Sequence, residues 1–441
     1  MIRAIVLLGT TIVLMASARS FIPAGDQPIP AAGVALGFGF IVLAALQTGS
    51  LFSAMRLPKL TGYLLTGVVC GPDVSRLLTA RMVDGLGVVN GVAVGLIALS
   101  AGCELNLAQL KPRLKTIVLV GFFALTLALA STSIVAYVSA DRLPFLHGMT
   151  STQRWAAAVT LGVVFASLSP SVALAILAEM QSAGPVSESV LGVVVLADIA
   201  IIVIFALVHT LAGGVFGVAA AATSIGPVKG VLLEIFGSMA VGFVVSIALA
   251  LYIRRVKNRF ALFVLAVCFV CAQVGTQLHL DVLIICLTAG LLMENVWKVK
   301  GELVHHELGP AVLPVFAVFF AVAGARLHVH DLRAIWPVAL LFTFVRAVTL
   351  FTGASIGVRL AGADDVVKKW VPFGTLPQAG VSVGLAVLIE RHFTTWGGGA
   401  RALILSVITM NELVGPVLLR MALVRAGETG KRKETIEVAH H

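Results

Sequence analysis

The stretch Leu191–Gly192–Val193–Val194–Val195–Leu196–Ala197–Asp198–Ile199–Ala200–Ile201–Ile202–Val203–Ile204–Phe205 places one acid inside otherwise unbroken hydrocarbon. With its apolar flanks the segment is long enough to cross a bilayer, and Asp198 sits well within it. A carboxylate at that depth costs several kcal/mol, so by default it marks an ion or proton pathway. Just upstream, Ser167–Leu168–Ser169–Pro170–Ser171 breaks a second apolar segment. An interrupted helix beside a buried acid is how many membrane carriers build a site near the bilayer midplane. The pattern points to a membrane transporter.

Composition sets the class. Of 441 residues, 59% are hydrophobic and only 12% charged. Soluble domains carry about 25% charged residues, so a soluble globular protein is excluded. The net charge of +10 falls in short connections between apolar runs, which fits membrane topogenesis and not a nucleic-acid surface. The five cysteines, Cys70, Cys103, Cys268, Cys271 and Cys286, lie in or beside apolar segments and imply no disulfide framework. No phosphate-binding loop, nucleophile elbow or zincin motif is present, so neither an enzyme nor a cofactor is expected. No nucleotide-binding domain is expected within these residues either.

Roughly fourteen apolar segments have spanning length. They fall at 3–18, 31–54, 60–78, 86–106, 114–139, 154–181, 186–212, 228–253, 260–278, 281–297, 308–326, 333–360, 370–390 and 400–424. The first, within 1–25, reads as a signal peptide or an extra helix, since Arg3, an apolar run and Ala16–Ser17–Ala18 follow one another. About 13 spans remain, an all-α polytopic membrane protein. One set of alternate connections carries more Lys and Arg, including Lys111, Arg113, Lys115, Arg254 and Arg255, together with the tail beyond Arg425. The positive-inside rule puts that side, and the C-terminus, in the cytoplasm.

A second interruption comes late, at Phe373–Gly374–Thr375–Leu376–Pro377–Gln378–Ala379–Gly380. Pro377 removes a backbone donor and the glycines loosen the helix. The first break lies in the fourth span from Leu60 and the second in the fourth from Asp281. Two five-span units with matching broken helices predict an inverted repeat, because an odd number of spans turns the second copy over.

The candidate chemistry follows from these placements. A buried carboxyl such as Asp198 holds either a proton or a desolvated cation, and that exclusion is the simplest basis for exchange. Arg346 lies midway between Arg333 and Arg359 in the sequence. At the helical rise it is ~20 Å from either, beyond easy snorkelling. Its guanidinium needs an acceptor, either a carboxylate or the carbonyls of a broken helix. Those carbonyls and the hydroxyls of Ser167, Ser169 and Thr375 are candidate cation ligands. Pro170, Pro377 and Gly380 shape the breaks, and Gln378 adds an amide. Secondary candidates are Glu104, at a span end, and Asn411 and Glu412, deeper in the last span.

With these residues in view, the chain resembles the monovalent cation:proton antiporter superfamily, in its bacterial sodium/proton antiporter and Kef-like branch. The matching stretches run from Leu57–Pro58–Lys59–Leu60–Thr61–Gly62–Tyr63–Leu64–Leu65–Thr66–Gly67 to Gly71–Pro72, and through Ala101–Gly102–Cys103–Glu104–Leu105. Ser167–Leu168–Ser169–Pro170, Val195–Leu196–Ala197–Asp198 and Phe319–Phe320–Ala321–Val322–Ala323–Gly324 complete the set, over about 31–425. The resemblance implies thirteen helices, two of them discontinuous and crossing, and a homodimer in a bacterial inner membrane. It implies a dimerisation or scaffold domain over 31–106 and 260–326. A mobile core over 114–212 and 333–425 would contain breaks near 167–171 and 374–380. A linker helix over 228–253 and a cytoplasmic tail over 426–441 complete the expected organisation. The ion-binding role passes to Asp198, with Na⁺, K⁺ or Li⁺ exchanged for H⁺, and the buried-cation role to Arg346.

The chain departs from the family at Ala197, where Asp, Asn or Gln is usual, and at Pro377–Gln378–Ala379–Gly380, where many members have Pro-Arg-Gly. One titratable site implies electroneutral exchange. Three other readings stay open: a Kef-like potassium efflux protein, a sodium-coupled organic-anion carrier, and a transport-inactive module in which Arg346 neutralises Asp198.

Overall fold

In membrane helices every backbone group must be satisfied within the segment, and the chain answers with helices throughout. The computed structural model describes all residues except 1, 20–30, 56–58, 105–106, 218–226, 257–259, 279, 300–313, 316, 327–328, 379–380 and 432–441. Every regular element longer than a single 3-10 turn among the described residues is an α-helix. In order these are α1 (Ile2–Arg19), α2 (Ala31–Ala54), α3 (Lys59–Cys70), α4 (Ala80–Gly85), α5 (Gly87–Glu104) and α6 (Leu107–Leu110). Next come α7 (Leu114–Val138), α8 (Ser151–Ala166), α9 (Pro170–Glu179), α10 (Pro185–Val215), α11 (Pro227–Arg255), α12 (Phe260–Leu278) and α13 (Val282–Asn295). The last are α14 (residues 317–325), α15 (Val329–Ala361), α16 (Asp365–Gly374), α17 (Val381–His392) and α18 (Gly397–Ala426).

Among the described residues, seven stretches are long and apolar enough to cross a membrane, and shorter apolar helices accompany them. The protein is a multi-pass membrane protein. One expected span ends early. The segment at 60–78 is helical only to Cys70, because Gly71–Pro72 follow and proline opposes helix in the residue before it. The chain then turns through Arg76, at a φ of 58°, before α4.

The chain forms two compact units, Met1–Leu107 with Leu233–Val329, and Ala108–Leu232 with His330–His441. In the first, α5 and α13 cross with almost no side chain between them. A Cβ on Gly102 would stand 2.9 Å from the Cα of Gly290, and the converse holds for Gly290. Small residues at a crossing are how membrane helices gain contact without a hydrophobic driving force between them.

The second unit packs α7 against α8 and α10, α10 against α8, α9 and α16, and α18 against α9, α16 and α17. Here Gly353 and Gly357 let α15 lie on α7 at Ala124 and Val120. The five cysteines are buried thiols. At the end of α18, Gly427 takes a left-handed φ of 69°, which suits glycine, and turns the chain back so that Glu428 reaches the start of α10.

Candidate functional site

Both interruptions lie in the second unit. The first is written locally. α8 starts with a capping box, Thr150 with Gln153, and ends at Ala166. Ser169 lies in the extended region and caps α9, accepting from Val172 N at 3.3 Å, with Pro170 in the first helical turn. Proline at that position keeps the helical φ but pushes Ser169 out of the helical region, so one apolar segment becomes two half-helices. Ser167 Oγ returns to Val164 O at 2.7 Å.

The second interruption follows Gly374, and Thr375 Oγ1 closes the end of α16 on Pro372 O at 2.8 Å. Leu376, Pro377 and Gln378 have no regular structure, and α17 starts at Val381. Gly380 lies outside the described residues.

The two breaks meet. Ser169 N donates to Pro377 O at 3.2 Å. Gln378 Nε2 donates to Val164 O at 3.1 Å and to Ser382 Oγ at 3.2 Å, and Ser382 Oγ also pairs with Ser167 Oγ. Asn411 Nδ2 on α18 donates to Gln378 Oε1 at 3.0 Å and to Val407 O. The result is a buried polar chain running from α18 through the second break to the first.

Arg346, on α15 and with no solvent exposure, fastens both breaks. Nε donates to Phe165 O, Nη2 to Ser167 O and Nη1 to Leu376 O, each at 2.8 Å. The acceptors for this guanidinium are carbonyls of the two interrupted helices, and none of its bonds goes to a carboxylate. Interrupting a helix leaves its last carbonyls bare at the negative end of the dipole. The planar fork of arginine matches three such acceptors at once, which a lysine cannot do. Leaving those carbonyls unsatisfied in a buried place would cost about 1–3 kcal/mol each.

Asp198 is 5% exposed and sits on the inward stripe of α10, with Val186, Val190, Val194, Ile201 and Phe205. The opposite face carries Leu196, Ile199 and Val203, all exposed. The same inward stripe meets the second broken helix, since a Cβ on Gly374 would run into the Val190 side chain. Two turns separate Val190 from Asp198, ~12 Å along the axis.

The structure thus brings together Ser167, Ser169, Pro377, Gln378, Arg346 and Asn411. The hydroxyls of Ser169 and Thr375 are engaged at helix ends. Glu412, beside Asn411, is 5% exposed and makes no hydrogen bond or ion pair among the described residues. Glu104 closes α5 in the other unit.

Two contributors escaped the sequence reading. Ser382 carried a usable signal, one helical turn after Gln378. Glu428 carried none. It is 2% exposed and accepts from Val186 N, Ser187 N and Ser187 Oγ at 2.7, 2.8 and 2.6 Å, a carboxylate at the positive end of the Asp198 helix.

Comparison with known proteins agrees with this architecture. The family model described as "Sodium/hydrogen exchanger, transmembrane" matches residues 38–424. The high-affinity Na⁺/H⁺ antiporter NhaS3 of Synechocystis sp. is 22% identical, with 93% of each chain covered. The Na⁺/H⁺-K⁺ antiporter GerN of Bacillus cereus is 24% identical, over 86% of this chain and 94% of its own. Among solved structures, the sodium proton antiporter MjNhaP1 of Methanocaldococcus jannaschii superposes with a TM-score of 0.71 at 13% identity, over 90% of this chain and 98% of its own. The chain belongs to the transmembrane sodium/hydrogen exchanger family, and it is a transporter, not an enzyme.

Proposed function

We propose that the protein exchanges a monovalent cation, Na⁺, K⁺ or Li⁺, for H⁺ across the membrane by alternating access. Asp198 is the shared site. The observation that carries this reading is a buried acid on a helix whose same face packs on the second of two interrupted helices. The antiporter relatives supply the substrate class. One carboxyl holds a proton or a dehydrated cation, not both, so each can leave only as the other enters. Ala197 offers Asp198 no acidic or amide neighbour in sequence, so exchange at this site is one for one and electroneutral.

Arg346 has a structural part in this account. Its three donations hold the two breaks together. That commitment weighs against the inactive module, which needs Arg346 on Asp198, and against an organic-anion carrier, which needs a guanidinium available to substrate. The unit holding both breaks is assigned as the transport core and the other as the dimerisation scaffold, in an inverted-repeat homodimer of the bacterial inner membrane. The C-terminus is assigned to the cytoplasm on the distribution of basic residues.

The test is dye-monitored antiport in everted vesicles, with Na⁺, K⁺ and Li⁺ added in turn at several pH values. At least one cation should collapse the pH gradient, at a rate indifferent to an imposed membrane potential. A gradient unmoved by all three overturns the exchange reading, and a voltage-dependent rate overturns its electroneutral form.

A further inference from the structure

We infer that Glu412 is a second monovalent-ion site of the same unit, filled by a proton or by an alkali cation and never left bare. The inference rests on the exchange reading above and extends it to another carboxyl. Glu412 lies in the middle of α18, and its Oε2 is buried with no hydrogen-bond partner. An ionised, unpartnered carboxylate in such surroundings is too costly to persist. A carboxyl with its proton, or a carboxylate with a cation, is neutral and tolerable.

A second oxygen ligand comes from the same residue. Pro416, one turn on, has no N–H to give, so the carbonyl of Glu412 lacks its usual intrahelical donor. Carboxyl oxygens beside a released carbonyl are the ligand set that dehydrated alkali ions take in membrane carriers. The segment is also in register with the second break. Asn411 donates to Gln378, and a Cβ on Gly415 would stand 2.9 Å from Pro377 Cα.

The basic groups on the neighbouring helices are otherwise engaged. Arg346 is held by three carbonyls, Arg401 by Glu390 at 2.8 Å, and Lys368 by Asp365 at 3.0 Å. Lys369 and Arg425 lie over the Trp370 ring. Arg420, whose Nη1 is buried without a hydrogen-bond partner among the described residues, starts two turns further along α18, ~12 Å along the axis. Among the described residues, the other titratable groups on helices packed against α18 are Arg154 on α8 (paired with Asp141), Glu179 on α9, Glu188 (paired with Arg113), Asp198 and His209 on α10, and His392 on α17. Because the Glu412 site is neutral with either occupant, it adds an ion to the cycle without adding net charge.

The experiment is proton release from purified full-length protein in weakly buffered detergent, on addition of NaCl, KCl or LiCl, with choline chloride as the blank. Cation binding at a protonated carboxyl expels its proton, so E412Q and D198N should each release about half the wild-type amount, and the double variant none. Wild-type release from E412Q overturns the Glu412 site and leaves Asp198 standing. Wild-type release from D198N strikes the Asp198 reading instead. A second measurement needs no variant. Dicyclohexylcarbodiimide attacks protonated carboxyls in apolar surroundings, so it should label Glu412 in the native protein, and saturating cation should suppress the label. Absent labelling, or labelling indifferent to cation, also overturns the site.

Discussion

At the first interruption the chain supplies fastenings of its own, beside those that reach it from Arg346, Gln378 and Ser382. Ser169 caps the half-helix that follows, Pro170 starts it, and Ser167 closes the one before. At the second, the local side-chain bonds among the described residues are Thr375 to Pro372 and Gln378 to Ser382, and the rest comes from other helices. Gln378 reaches Val164 O, Asn411 holds Gln378, and Gly415 admits α18 onto Pro377. The first break is capped and started by its own residues, while the second leans more on Asn411 and Gly415 of α18. The second should therefore be the more sensitive to change, with Arg346 serving both.

Replacing Arg346 by methionine should have the largest effect. Three buried carbonyls lose their donor, at about 1–3 kcal/mol each, partly offset by no longer burying a charge. Thermal unfolding in detergent, followed by size-exclusion chromatography, should show most of the protein lost. R346K should recover only part of it, since one ammonium cannot copy the fork. An R346M protein as stable as wild type would break the claim that one guanidinium holds both breaks.

Q378A comes next. It removes the bonds to Val164 O, Ser382 and Asn411, each of which keeps another partner, and should cost about 0.5–1.5 kcal/mol per bond. S169A removes a helix cap and should cost about 1 kcal/mol. The order of these two melts decides the contrast: S169A falling below Q378A would mean that the first break, not the second, depends on its partners. S382A should be mildest, at about 0.6 kcal/mol, typical of a side-chain bond between membrane helices.

Much of this was legible in the residues. Proline and glycine in mid-span announced both breaks, because their effect is local and covalent. The need of Arg346 for an acceptor was equally plain, since a buried guanidinium has donors and no alternative. Which acceptor it finds was not, because Phe165, Ser167 and Leu376 offer the same carbonyl as any other residue. Ser167, Ser169 and Thr375 stand out as candidate cation ligands because they lie at the breaks, whereas the bonds their hydroxyls make at the helix ends appear only in the fold. Glu428 was invisible. It stands in a charged tail, and only the turn at Gly427 brings it to the Asp198 helix.

The exchange account stands on the carboxyl of Asp198, and reconstituted vesicles test it most directly. With wild-type protein, adding the transported cation should dissipate an imposed pH gradient, and D198N at equal reconstituted amount should leave the gradient intact. D198N vesicles that dissipate it as fast as wild type would contradict the account.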